Sequence, residues 1–198
     1  MLTARSLWEA ETYVSLEIAQ RSADQGDAAQ PAPPLEVGQN VTEGVDAWIY
    51  ASPVGDITIP YSSERSATTA GAHFGLGRSQ LIDAAEWVKV AQLYGERAIE
   101  DQVYFSGEPE APQDPEYRQR RHHVELGWEL AAEAIVQAMA FLPDASDRVP
   151  EAEIWSEFGR SILADDPQAV TRARLEEDLE YYRGVLKDFR ELQGPSAG

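Results

Sequence analysis

The sequence predicts a mainly α fold: a bundle of four to five helices with one β-hairpin inserted at about residues 45–61. Three observations lead there. Apolar residues recur at alternating spacings of four and three along several long segments. Asp-Pro pairs at Asp114-Pro115 and Asp166-Pro167 supply helix caps followed by a first helical position. A single short stretch, Val45 to Tyr61, alternates in the strand manner around a Pro/Gly turn. At 198 residues, one domain spanning 1–198 is expected.

Taken in order, Leu7, Ala10, Val14 and Ile18 predict a first helix from Thr3 to about Arg21, with Thr3 as its cap. Residues 22–40 read as a connector, because Gln30-Pro31-Ala32-Pro33-Pro34 cannot continue a helix. Val45–Ala51 and Ile57–Tyr61 read as strands joined by Ser52-Pro53-Val54-Gly55-Asp56. Pro60 donates no hydrogen bond, so the second strand is expected at a sheet edge. Val45, Ala47 and Ile49 are assigned to the face covered by the chain's own helices. Trp48 and Tyr50 are assigned to a face that needs a neighbour. Residues 62–78, rich in Ser, Thr, Ala and Gly, read as a flexible loop.

Ser79 is expected to cap a helix through about Tyr104, with Leu81, Ala84, Val88 and Ala91 buried. The acidic segment 107–113 is a connector. Asp114-Pro115 then opens a helix whose Val124, Trp128, Ala131, Ile135, Ala138 and Leu142 form an interhelical seam, ended by Pro143. A shorter helix over about Pro150–Ala164 is expected to bury Ile154, Phe158 and Ile162. Asp166-Pro167 starts the last helix, which presents Leu175, Leu179, Tyr182, Leu186 and Phe189 and stops at Gly194-Pro195.

Composition bounds the environment. Sixteen basic residues face thirty-five acidic ones, a net charge of −19, and only Lys89 and Lys187 are lysine. Acid excess with so little lysine is the pattern of a protein kept hydrated in concentrated salt. A GC-rich genome explains the missing lysine but not the surplus carboxylates. The charge argues against direct nucleic-acid binding, which needs a basic surface. With no cysteine in the chain, disulfides and thiolate metal sites are excluded. Arg5 and Trp8-Glu9-Ala10-Glu11 break any export-signal core, and Ala134–Leu142 is too short to span a bilayer. The expected location is the cytoplasm, or a virion assembled there.

Chemistry-bearing clusters are few. Arg118, Arg120, Arg121, His122 and His123 crowd together, with Glu125 and Glu129 beyond. Adjacent histidines project about 100° apart on a helix and do not chelate together. The His122–Glu125 order also reverses the Glu-x-x-His of di-iron bundles. An exposed basic strip is therefore favoured over a metal site, and neither metal nor cofactor is expected. Glu125, Glu129 and Glu133 form a row at i, i+4, i+8, read as a solvated face. Gly71-Ala72-His73-Phe74-Gly75-Leu76-Gly77-Arg78-Ser79 lacks the lysine of a P-loop and reads as a loop leading to a cap rather than a phosphate cradle. Trp48, Tyr50, Tyr61 and Tyr181, with Arg118, Arg120 and Arg121, are the candidate interface residues.

The leading expectation is a non-enzymatic structural or interaction protein, a building block of a larger assembly. A virion component, such as a head–tail connector or tail protein of a virus of a halophilic host, fits that description. Its partners would be proteins, in a homo-oligomer or multi-protein assembly, with no membrane. The alternative is an acidic cytoplasmic inhibitor, an immunity protein or nucleic-acid mimic that neutralises a basic partner. A small helical enzyme using His122 and Glu125 is the third reading.

Overall fold

In the computed structural model, which describes residues 2–24, 33–106, 111 and 113–193, six helices pack with a small four-stranded mixed sheet near the N-terminal region. The expected connectors lie partly outside the described residues, as does the Gly194-Pro195 stop.

The chain opens as a strand, not a helix. β1 (Leu2–Thr3) pairs in parallel with β4 (Ile57–Pro60). Helix α1 (Leu7–Asp24) follows, capped by Ser6, whose Oγ accepts from the Glu9 N–H at 3.0 Å. Thr3 is thus a strand residue and Ser6-Leu7-Trp8-Glu9 carries the helix start. Glu9 is almost fully buried and its carboxylate holds the Arg5 guanidinium at 2.7 Å.

The predicted hairpin is the middle of the sheet. β3 (Ala47–Tyr50) pairs antiparallel with β4 and with β2 (Val41–Glu43), giving the order β1-β4-β3-β2. β4 is therefore an inner strand, contrary to the edge position inferred from Pro60. Proline is tolerated because β1 reaches only Ile57 and Thr58, so no partner lies beside Pro60 on that side. The face assignment is also reversed. Trp48 sits opposite Ile59 and Tyr50 opposite Ile57, and both isoleucines are fully buried. Cross-strand partners share a face, so Trp48 and Tyr50 pack on the chain's own core. Val45 is 95% exposed, and Ala47 and Ile49 look outward.

The Ser/Thr-rich segment is not all loop. Tyr61–Ala70 forms α2, in which the hydroxyls of Ser66, Thr68 and Thr69 donate to the carbonyls of Ser62, Glu64 and Arg65. Such bonds compete with the helix ladder rather than support it, and buried Ala67 anchors the segment to the core. Residues 71–83 then cross the molecule. Phe74 is fully buried, and Gln137 Nε2 donates to the Gly75 carbonyl at 3.2 Å.

Helix α4 (Pro115–Met139) is the centre of the bundle, with α3 (Ala84–Ser106) and α6 (Arg172–Gln193) packed against it. The whole predicted α4 seam is buried, as are Leu175, Tyr182, Leu186 and Phe189 of α6. Asp114 caps α4 as expected, accepting from Glu116 N–H at 2.8 Å. Gly95 on α3 lets α6 approach: a Cβ there would stand 2.8 Å from a Tyr182 ring carbon. The shorter predicted helix divides into a 3₁₀ turn (Glu151–Glu153) and α5 (Glu157–Asp165), capped by Ser156. Asp166-Pro167 opens a turn rather than α6. Asp166 accepts from Gln168 N–H, and the helix starts at Arg172, whose guanidinium donates to the carbonyls of Pro143, Asp144 and Ser146.

Candidate functional site

A buried polar cluster sits where α3 begins. Asp83, fully buried, caps α3 by accepting from Ala85 and Glu86 N–H, each at 3.0 Å. Its other oxygen accepts from the backbone and hydroxyl of Ser156, at 3.0 and 2.9 Å, which ties α5 to α3. Glu86 closes a capping box by accepting from Asp83 N–H. Helix α3 was expected to be capped by Ser79. That hydroxyl instead accepts from Leu81 and Ile82 N–H within the approach to the helix. Because Asp83 already fills the α3 N-terminus with a negative charge, the glycine loop before it does not present free first-turn donors to a phosphate.

Burial pushes the Glu86 carboxyl up to about 7, with the Asp83 charge adding to it. The folded state thus holds this proton more tightly than the unfolded chain, whose glutamate has its ordinary value near 4.5. The stability it brings is complete below that value and is lost as pH rises through about 7. Glu86→Gln keeps an oxygen for Asp83 N–H and carries no charge. It is expected to match wild type near pH 4.5 and to be more stable by about 1–3 kcal/mol at pH 8. Urea melts of both proteins across that range check it. A difference independent of pH would refute the assignment.

The carboxylate row on α4 is engaged rather than solvated. Glu125 accepts from Arg121 at 2.8 Å and from Arg190 at 3.1 Å, and Arg190 also pairs with Glu129. Glu133 receives Phe74 N–H and His73 Nδ1, each at 2.8 Å. That hydrogen bond holds the His73 imidazole above its ordinary value, against the opposing effect of burial. Trp8 meets the same ring edge-on at 5.4 Å. No group of three metal-ligating side chains converges among the described residues.

The other predicted site residues scatter. Arg121 is drawn to Glu125 and the Gln193 carbonyl, Arg120 lies 3.5 Å from Glu116, and Arg118 is exposed. His122 is exposed beside half-buried His123, ring centres 6.3 Å apart. Tyr61 stacks edge-on with Trp48 at 5.2 Å and donates to the Gly44 carbonyl. Of the aromatic candidates, Tyr181 alone is 53% exposed.

Tyr181 lies on an apolar groove between α3 and α6. Ile99, Gln102, Val103 and Ser106 form one wall, Tyr181 and Val185 the other, and Trp128 of α4 the floor, enclosing about 410 Å³. Trp128 is buried and donates from Nε1 to Gln102 Oε1 at 3.1 Å, so the floor is fixed. Tyr182 braces it from behind, 6.2 Å from Trp128, its phenol pushed up to about 12 by burial and by the Asp178 charge. A second hollow of about 400 Å³ runs along α6 over Leu179 and Gly184, with Arg183 and Lys187 balancing Glu176 and Glu180. The exposed apolar pair Ile99 and Val103 was not singled out from the sequence. Their spacing of four on α3, one position off the buried stripe, was the available signal.

Comparisons of the chain with protein-family models, curated proteins and solved structures find no match. Among the described residues no helix is long and apolar enough to cross a membrane.

Proposed function

We propose that this chain is a non-enzymatic interaction protein that docks another protein on the α3/α6 groove. The observation that carries the reading is an apolar wall left open. Val103 is 68% exposed, Tyr181 53% and Ile99 48%, all above a rigid tryptophan floor. Large apolar groups gathered around a concave surface mark interaction sites more often than scattered single ones do. Tyr and Trp are also the residue types on which binding energy concentrates.

The Trp48 and Tyr50 face no longer supports assembly, since it packs on the chain's own core. The groove takes over that role, both for a building block of a larger particle, such as a virion component, and for an inhibitor.

The test is a Val103→Ser, Tyr181→Ser double variant. Both side chains are largely exposed, so the melting temperature and circular dichroism should change little. Affinity purification from native cells should recover a stoichiometric partner with wild type and lose it with the variant. Equal recovery with both would place the interface elsewhere.

A further inference from the structure

We infer that the groove selects a partner whose apolar contact residues are flanked by lysine or arginine, and that it rejects a second copy of this chain. This rests on the docking reading above and adds the chemistry of the occupant. On a helix, the residues three and four positions away are surface neighbours. For Ile99 and Val103 the charged ones among the described residues are Glu96 and Glu100. For Tyr181 and Val185 they are Glu177, Asp178 and Asp188. All five are carboxylates, and no cation stands at any of those positions. Arg174 partly neutralises Asp178 at 3.2 Å and Glu177 at 3.9 Å, while Glu96, Glu100 and Asp188 are exposed.

The rim of the groove therefore carries a net negative charge around an apolar centre, with Arg174 offsetting part of it on the α6 side, on a chain whose net charge is −19. The hollow over Leu179, with balanced charges, has no such bias. Two copies meeting through this groove would set acidic rim against acidic rim, which repels. A basic-rimmed partner meets complementary charge, gains association rate and is distinguished from acidic competitors. The α3 wall from Ile99 to Ser106 is about 10 Å long, enough for two turns of an amphipathic helix laid in the cleft.

Two fluorescent probes test this: a leucine–lysine amphipathic peptide of about fourteen residues, some four helical turns, and a leucine–glutamate peptide of the same pattern. Wild type should bind the lysine peptide, more weakly as salt rises, and not the glutamate peptide. Val103→Ser, Tyr181→Ser should weaken the lysine peptide roughly tenfold or more. Glu96→Lys, Glu100→Lys should weaken it too and admit the glutamate peptide. If both peptides bind wild type equally and the groove variant loses both, docking stands and charge selection falls. Lysine-peptide binding that survives the groove variant reflects bulk acidity alone and overturns the inference. If neither peptide binds wild type, the docking reading falls with it. Light scattering that shows self-association abolished by the groove variant would make a second copy the occupant, against the inference.

Discussion

Replacing Asp83 with alanine is expected to destabilise the protein by about 3–5 kcal/mol. The side chain makes four hydrogen bonds: two to the first turn of α3 and two to Ser156 at the start of α5. Loss of the helix cap alone costs about 1–2 kcal/mol. Leaving the Ser156 donors without an acceptor in a buried site costs about 1–3 kcal/mol for each one not rescued by water. One effect runs the other way, because removing the Asp83 charge eases ionisation of Glu86. The expected total is accordingly smaller than the plain sum. In a domain of this size each kcal/mol moves the melting point by about 2–4 °C, so a drop of roughly 10 °C is expected.

Asp83→Asn separates the two halves of the site. An amide oxygen can still cap α3, but the amide nitrogen cannot accept from Ser156. The asparagine variant should therefore fall between wild type and alanine, with hydrogen exchange rising first in α5. Thermal and urea melts of both variants check this. An alanine variant within about 1 kcal/mol of wild type would mean that water replaces the carboxylate, and the clasp would not be what ties α5 to α3.

The sequence disclosed the bundle better than the sheet, for a physical reason. The seams of α4 and α6 repeat every three or four residues over many turns, and burial follows that period directly. β1 and β2 are two and three residues long and exist only because distant partners pair with them, so no local pattern marks them. In Ala47-Trp48-Ile49-Tyr50 apolar groups alternate on both faces, and alternation alone does not say which face is inside. The pairing with Ile57 and Ile59 decides it, and the polar Thr58 between them was the usable clue. The caps at Ser6 and Asp83 were also legible, since each is followed three residues later by glutamate. Ser79 competes with Asp83 because it stands before Leu81, the first apolar residue of its stripe, and Thr3 is drawn into β1 by pairing with Thr58, a long-range contact with no local signature. α2 was missed because Ser and Thr favour caps and turns over helix interiors, and the burial of Ala67 against the core has no local signature. At the groove, Tyr181 and Tyr182 could be told apart only as two neighbours unable to share one seam. Which of them stays outside depends on Gly95, whose missing side chain seats Tyr182.

Gly75→Ala is expected to cost about 2–4 kcal/mol, the other large single effect. Gly75 has φ +93°, a conformation that L side chains rarely adopt, and a Cβ there would lie 2.5 Å from the Cβ of Arg5. The left-handed conformation contributes about 1–2 kcal/mol and the overlap about 1–3 kcal/mol. Arg5 has little room to retreat. Its guanidinium is paired with buried Glu9 and donates to the Gly77 carbonyl, and its backbone N–H donates to Glu9 as well. The loop is also held from the other side, because Gln137 donates to the Gly75 carbonyl and Glu133 accepts from Phe74 N–H. Gly77→Ala is the internal control. Gly77 also has a positive φ, +78°, but nothing lies within 4 Å of its would-be Cβ, so only the conformational part, about 1–2 kcal/mol, applies. The difference between the two variants in urea melts reads the overlap alone. Equal losses would mean that Arg5 and the loop separate without cost, and that the contact between the start of α1 and residues 71–79 contributes nothing to holding the sheet against the bundle.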